Sequence, residues 1–176
     1  MARTTKQHRG YPFAVLQTNT GFAAGGLQFP AMATAATMEE LRPLLEQQVA
    51  LYLLDCYLDG DDPVAPQPEG QLDLTDYREE GQHPEIVYAE PAPMSAISIA
   101  IEEAIRQEGI SYAELARRMD VPRSVVTRIT NPFYFAHTSR TLRSVAEALG
   151  RQVHVSIDKP NDRSSIRAKS PPLVAV

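Results

Sequence analysis

One cysteine, Cys56, stands alone in the chain, so no intrachain disulfide can staple the fold. A single thiol at the end of an apolar stretch is expected as a small buried hydrophobe rather than a nucleophile. The missing disulfide framework points to a reducing, cytoplasmic setting. No run of 18 apolar residues occurs, which leaves no candidate membrane span. The opening MARTTKQHRG is basic and polar where a secretory leader has an apolar core, and no such leader is expected. The four histidines (His8, His83, His137 and His154) lie far apart without an HxxxH pattern, so no metal site is expected. His154 is expected to face solvent. A Gly-rich phosphate loop is also missing, since Gly25-Gly26 has no following Lys. The chain has no internal repeats, and no cofactor is implied.

What is present divides in two. At 176 residues, 43% hydrophobic and 22% charged, the chain has the material for two small domains with buried cores. Its net charge of −5 conceals an asymmetry. Residues 1–90 carry 5 Lys/Arg against 14 Asp/Glu, net −9, and residues 91–176 carry 12 against 8, net +4. Within 117–128, Arg117, Arg118, Arg123 and Arg128 face Asp120 alone. Binding to phosphate needs local rather than global positive charge, so a nucleic-acid partner is compatible with the C-terminal half. The acidic half suits a basic protein partner, or its carboxylates simply solvate loops between 59 and 85.

Residues 110–131, ISYAELARRMDVPRSVVTRITN, read as two short helices and a tight turn. Ser111 and Glu114 have capping-box spacing. Ala113, Leu115, Ala116 and Met119 are the apolar positions of the first helix, with Ala116 small enough for a close crossing. Asp120 ends that helix where a left-handed residue is required, at a modest cost for Asp. Val121 plugs the corner, and Pro122 suits the start of the next helix. Val126 and Ile129 share one face at i, i+3 and pack back on Leu115 and Ala116. Arg123, Ser124, Thr127 and Arg128 then point outward. Such a helix-turn-helix lays its second helix in the DNA major groove; the bland alternative is an αα-hairpin inside another helical domain.

Flanking segments complete a small domain. Residues 95–108 place Ile97, Ala100, Ile101, Ala104 and Ile105 on one stripe, and Gly109 stops that helix. After the aromatic loop NPFYFAH, Thr138 or Ser139 opens a helix with Leu142, Val145, Ala146 and Leu149 inward and Gly150 as its stop. QVHVSI, with Val153, Val155 and Ile157 alternating inward, reads as a short terminal strand. PFYF (132–135) is a candidate dimerisation surface, or else local core.

In the N-terminal half, YPFAVLQ (11–17) and FAAGGLQF (22–29) form a hairpin across TNTG, with Gly21 available for positive φ. Gly25 and Gly26 mark a possible bulge, and Pro30 ends the second strand. Thr37 and Glu40 cap a long amphipathic helix to about Leu58, with Leu41, Leu45, Val49 and Tyr52 on its buried face. Pro43 either kinks that helix or marks a true start near Arg42. DGDDPVAPQPEG (59–70) is a loop, and EIVYAEP (85–91) contains a third strand.

Residues 95–150 resemble the phage-repressor-type (XRE/Cro) helix-turn-helix family, and the ending RSVVTRITNP…TLRSVAEALGRQVHVSI is similar to the version fused to HicB-like antitoxins. Tyr11-Pro12, Phe29-Pro30 and TMEELRPLLEQQVALYLLD resemble the HicB antitoxin domain. The resemblance covers about residues 11–157. It implies an α+β chain: a degenerate RNase H-like β-hairpin/helix/strand domain of βαβ type (11–91), then a four-helix helix-turn-helix domain ending in a short strand (92–158). Residues 1–10 and 159–176 are expected as mobile tails. Carried over by position, Arg123, Ser124 and Thr127 face bases, Tyr112 and Asn131 contact phosphate, and Arg117 and Arg128 add positive charge to the same DNA-binding surface. Asp120 stands where the family usually has Gly. AMATAAT replaces the family's Gly-Cys step after the strand-two proline, so the toxin-facing loop, placed at Phe29, Pro30 and Met32, is altered. A nuclease of RNase H type needs carboxylates on its core strands for Mg²⁺. Strands 11–17 and 22–29 have none, while Asp61 and Asp62 lie in the loop, so no enzymatic activity is expected. The implied function is an antitoxin that neutralises a HicA-like mRNA interferase toxin by direct binding. It would repress its own operon as a homodimer or higher even oligomer on a palindromic operator. The alternative is a stand-alone XRE-type repressor whose N-terminal domain senses a ligand or another protein.

Overall fold

The computed structural model describes residues 10–155 and 174–175. The chain is mixed α+β and divides into two compact units, with the boundary between Ala92 and Pro93. The expected tails lie outside the described residues, apart from Gly10 and the dipeptide Val174–Ala175.

The N-terminal unit is a four-stranded sheet with one long helix. Strands β1 (Tyr11–Thr18), β2 (Gly21–Gly26) and β3 (Met32–Ala35) precede helix α1 (Met38–Asp59), and a short helix α2 (Thr75–Glu79) precedes β4 (Glu85–Ala89). The sheet order is β3-β2-β1-β4, and every pairing is antiparallel. Helix α1 therefore links strands at opposite edges of the sheet, and the parallel crossover of a βαβ module is absent. Asn19 and Thr20 form the two-residue turn of the first hairpin, closed by the pair Thr18 and Gly21. Gly21 has φ +142°, and a Cβ there would sit 2.2 Å from the Ala35 carbonyl oxygen.

Three expectations for these strands change. The second strand stops at Gly26, not Pro30, because Gly26 donates its N–H to the Ala31 carbonyl and turns the chain back. A Cβ on Gly26 would lie 2.5 Å from the Phe29 oxygen. Gly25 and Gly26 stay in regular register with Ala14 and Phe13, so no bulge forms there. Part of the segment expected as an altered loop is instead the edge strand β3. Its Ala and Thr residues carried too little β-pattern to reveal it.

Side-chain alternation sends Tyr11, Phe13, Val15, Ala24, Val87 and Ala89 to the face covered by α1. From α1, Leu41, Leu45, Val49, Ala50, Leu53 and Leu54 are buried. Thr37 caps this helix by accepting from the Glu40 N–H, and Gly60 ends it with φ +78°. Pro43 sits inside the helix, close enough to its start that the helix runs on for 16 further residues to Asp59. Tyr52, expected inside, is partly buried against the core, and Cys56 is half-buried rather than fully inside. Phe29 stacks on Tyr52 at 4.3 Å and meets Tyr11 and Phe13 edge-on. Burial, with Tyr52 and Cys56 nearby, pushes the Tyr11 phenol up to about 12.

The Pro- and Asp-rich loop is pinned at several points. Tyr11 Oη donates to the Val64 carbonyl at 2.8 Å, and the Val64 N–H donates to Tyr52 Oη at 2.9 Å. Gln28 bonds both Ala65 and Gln67, and Tyr88 Oη donates to the Gln67 carbonyl.

Among its described residues the C-terminal unit has four helices: α3 (Ala96–Glu108), α4 (Tyr112–Arg118), α5 (Arg123–Ile129) and α6 (Ser139–Leu149). Ahead of α3 lies the dipeptide strand β5 (Met94–Ser95), paired parallel with β6 (Val174–Ala175). Ser95, Ser111 and Thr138 cap α3, α4 and α6 through their hydroxyls, and Gly109 and Gly150 end α3 and α6 in the left-handed conformation. The core joins Ile101, Ala104 and Ile105 of α3 to Leu115, Ala116, Val126, Ile129, Val145 and Leu149.

Three expectations here are corrected. Ile97 and Ala100 of α3 are exposed, while Ser98 and Ile99 are buried. The Ser98 hydroxyl finds partners in His137 Nε2 at 2.9 Å and the Tyr134 carbonyl, which makes an inward serine tolerable. Ala113 of α4 faces solvent. Residues 151–155 form no strand, and Val153 and Val155 are 46% and 80% exposed; Ile157 lies outside the described residues.

Candidate nucleic-acid interface

The candidate surface is built on α4, the turn 119–122 and α5. Leu115 (0% exposed), Ala116, Val126 (0%) and Ile129 are its inner residues. Ser111 accepts from the Glu114 N–H at 3.2 Å, which is one arm of the capping box. The other arm is replaced. The Glu114 carboxylate takes Arg117 in a two-point contact (2.9 and 2.8 Å) and Arg118 Nε at 2.8 Å. Hydrogen bonds from Arg117 and then Arg118 hold the Glu114 carboxyl down at about 2, and the same contact raises Arg117. The Asp120 backbone has φ +54°, the left-handed turn that was expected of it. The Val121 N–H returns to the Ala116 carbonyl at 3.0 Å, closing the corner. Pro122 caps α5 from outside at φ −60°, ψ 145°, one position ahead of the helix.

Beyond that corner, Arg123, Ser124, Thr127 and Arg128 are all exposed. Thr127 Oγ1 donates to the Arg123 carbonyl one turn back, which holds its methyl and hydroxyl in place on the helix surface. Among the described residues the Arg123 guanidinium has no partner. Arg128 lies over the Tyr134 ring, 5.7 Å from its centre.

No protein-family model matches the chain, and no curated protein matches it.

Arg117, Arg123, Ser124, Thr127, Arg128 and Asn131 all occupy exposed positions on two successive helices and just after the second. Tyr112 does not join them as a free group: it is half-buried, its Oη donates to Glu102 at 2.5 Å, and burial followed by that carboxylate raises its phenol. Asn131 is partly committed, because its Oδ1 accepts the Phe133 N–H at 2.9 Å. Two residues were overlooked. The Glu114 carboxylate pairs with two arginines, leaving the three side chains at +1, and its i+3 and i+4 spacing to Arg117 and Arg118 was the available signal. Tyr134 orders Arg128 from six residues away, which no local pattern reveals.

In the N-terminal unit, Phe29, Pro30 and Met32 do not form one surface. Phe29 is 7% exposed at the centre of the aromatic cluster, so its side chain is unavailable for docking. Pro30 is exposed, and Met32 is 82% exposed. Pro30 and Met32 border an open groove of about 660 Å³ that also includes Leu16, Gly25 and Tyr77. PFYF splits as well: Tyr134 packs on the helical core, while Phe135 is 54% exposed. Among the described residues no His, Cys, Asp and Glu group could hold a metal ion, and no helix is long and apolar enough to cross a membrane.

Proposed function

We propose that the C-terminal unit is a helix-turn-helix domain that binds DNA through α5, and that the chain is a HicB-like antitoxin repressing its own operon. The observation that carries the DNA-binding part is the division of α5 into two faces. Val126 and Ile129 are buried, while Arg123, Ser124 and Thr127 stand exposed and the Arg123 guanidinium is unpaired among the described residues. Arginine in this position suits a guanine edge, and Ser and Thr serve either base type. Arg117 and Arg128 supply charge toward the flanking phosphates.

The antitoxin part draws on the acidic N-terminal half, net −9 over residues 1–90, which complements a small basic RNA-cleaving protein. Met32 and Pro30, on and just before an edge strand, present the apolar part of that surface. The rival reading, a stand-alone repressor with a sensor domain, draws on the 660 Å³ groove, whose size suits a small ligand.

Titration of the protein against DNA from upstream of its own gene, beside a scrambled duplex, tests the first part. Arg123→Ala is expected to cost about 1–3 kcal/mol on the specific site and to relax base preference. Unchanged affinity and specificity would place the reading helix elsewhere. Co-expression with a short adjacent gene for a basic protein tests the second part: growth rescue supports the antitoxin, and its absence favours the sensor.

A further inference from the structure

We propose that Tyr134, held from below by His137, is the positioning residue for Arg128, and that a proton on His137 releases both from the DNA-binding surface. The inference rests on the DNA-binding reading and adds to it an acid-sensitive hold on one phosphate contact. Loop 131–137 leaves α5 and is tied down step by step. The Asn131 N–H bonds the Arg128 carbonyl, the Tyr134 N–H bonds the Asn131 carbonyl, and the Ser95 N–H bonds the Pro132 carbonyl. Tyr134 Oη donates to the Ala136 carbonyl at 2.9 Å, which fixes the ring within the loop. That ring has two nitrogenous neighbours. The Arg128 guanidinium lies 5.7 Å from its centre, and the His137 imidazole meets it edge-on at 4.9 Å.

The state of His137 follows from its partners. Ser98 is fully buried on α3, and its Oγ lies 3.2 Å from the Tyr134 carbonyl and 2.9 Å from His137 Nε2. A carbonyl only accepts, so the single Ser98 proton goes to Tyr134 and Nε2 donates to Ser98 Oγ. Nδ1 is left as a bare lone pair, buried and without a partner among the described residues. A proton there would create a buried, charged N–H with no acceptor, which the site cannot hold without opening. Burial, opposed in part by the Tyr134 carbonyl, accordingly keeps the imidazole below its usual 6.5. The ionisable groups on the surrounding helices bring no relief. Glu102 of α3 is taken by Tyr112 Oη and Arg106, Arg128 of α5 lies over Tyr134, and Arg140 and Arg143 of α6 are exposed cations. An imidazolium and a guanidinium on one ring also repel each other. On protonation the loop opens, the ring leaves with it, and Arg128 loses its platform.

Two measurements on the full-length protein test this, with circular dichroism at each pH as the control for folding. In the first, without DNA, NMR follows the His137 ring and the Arg128 Nε–H from about pH 7.5 to 5. The Arg128 resonance should move with the His137 midpoint, below 6.5. It should stand still in His137→Gln, whose amide keeps a donor for Ser98 and does not titrate. In the second, fluorescence anisotropy with a scrambled duplex follows affinity over the same range. Added positive charge ordinarily tightens DNA binding, so weakening in acid is diagnostic. Wild type should lose about eightfold at about 100 mM salt, the share of one phosphate contact, and its salt slope should fall by about 0.9. His137→Gln should show no such loss. At pH 7.5, Tyr134→Leu should bind as weakly as Arg128→Ala, and Tyr134→Phe, which keeps the ring, as well as wild type. An Arg128 resonance indifferent to His137, a loss in acid that His137→Gln shares, or a folded Tyr134→Leu with wild-type affinity would each overturn the inference. Coupled resonances in a protein that binds no duplex at any pH sink the DNA-binding reading alone. Firm DNA binding with the same pH profile in wild type and His137→Gln sinks this inference alone.

Discussion

Glu114 offers a way to change the charge of the candidate DNA surface without touching any residue that would contact bases. Its one carboxylate engages two guanidiniums, Arg117 at 2.8 and 2.9 Å and Arg118 at 2.8 Å, so the three side chains together carry +1. Glu114→Gln keeps the backbone N–H that Ser111 caps and raises that local charge to +2. If Arg117 then turns to phosphate, the number of neutralised phosphates rises by one. The slope of log K against log salt should steepen by about 0.9. Between 200 and 50 mM salt, that single extra contact adds about 3.5-fold to the affinity gained on dilution. Fluorescence anisotropy with a scrambled duplex at four salt concentrations measures the slope directly, and the operator duplex should show the same increment. An unchanged slope, with the variant folded, would mean that Arg117 and Arg118 do not face DNA and that this edge of the surface is misassigned. The same contact has a signature in acid. Because Glu114 is held near 2 in the folded protein against an ordinary value of 4.5, its stabilisation is complete above 4.5 and disappears as pH falls from there to about 2. Melting temperatures of wild type and Glu114→Gln should therefore converge across that window.

Further consequences concern the scaffold. Leu115→Ala removes a fully buried side chain at the crossing of α4 and α5 and should cost about 2–5 kcal/mol in urea unfolding; a loss below about 1 kcal/mol would show that the helical core is not packed there as described. Asp120→Gly relieves a left-handed backbone worth about 1 kcal/mol, less the added freedom of the unfolded chain, so the melting temperature should hold or rise slightly, whereas Asp120→Val should lower it clearly. His137 sits with its Nδ1 buried and without a partner among the described residues, and burial lowers its pKa below the usual 6.5. The unfolded chain therefore binds the proton first as pH falls, so stability from this group is complete above 6.5 and declines below it; thermal melts from pH 7.5 to 5.5 should show the decline, and His137→Asn should flatten it.

Local chemistry made the helical half legible. Ser111, Thr138, Gly109 and Gly150 each announce a helix end through a hydroxyl or a left-handed glycine, and all four act as such. Failures occur where a distant residue decides. Ser98 turns inward because His137 and Tyr134, more than 35 positions away, bond its hydroxyl, and no periodicity in SAISIAIEEAI carries that information. Phe29 was placed on the surface beside Pro30, yet it closes the aromatic core because Tyr52 on α1 stacks against it. Strand β3 pairs with β2 through its backbone, and Met-Ala-Thr-Ala has few of the side chains that mark a strand.

The most instructive error is the terminal strand. Alternation in QVHVSI predicts an inward-facing strand, since Val at every second position normally means one buried face. The valines are exposed and the backbone is unpaired among the described residues. A β-pattern records that a face is to be covered, and it is silent on which chain covers it. Had the stretch been polar, its exposure would need no explanation. Gly150 turns the chain out of α6 and Arg151 anchors it to Glu108 and Gln107, so the exit of the segment is set by the helix end and not by the alternation of its valines.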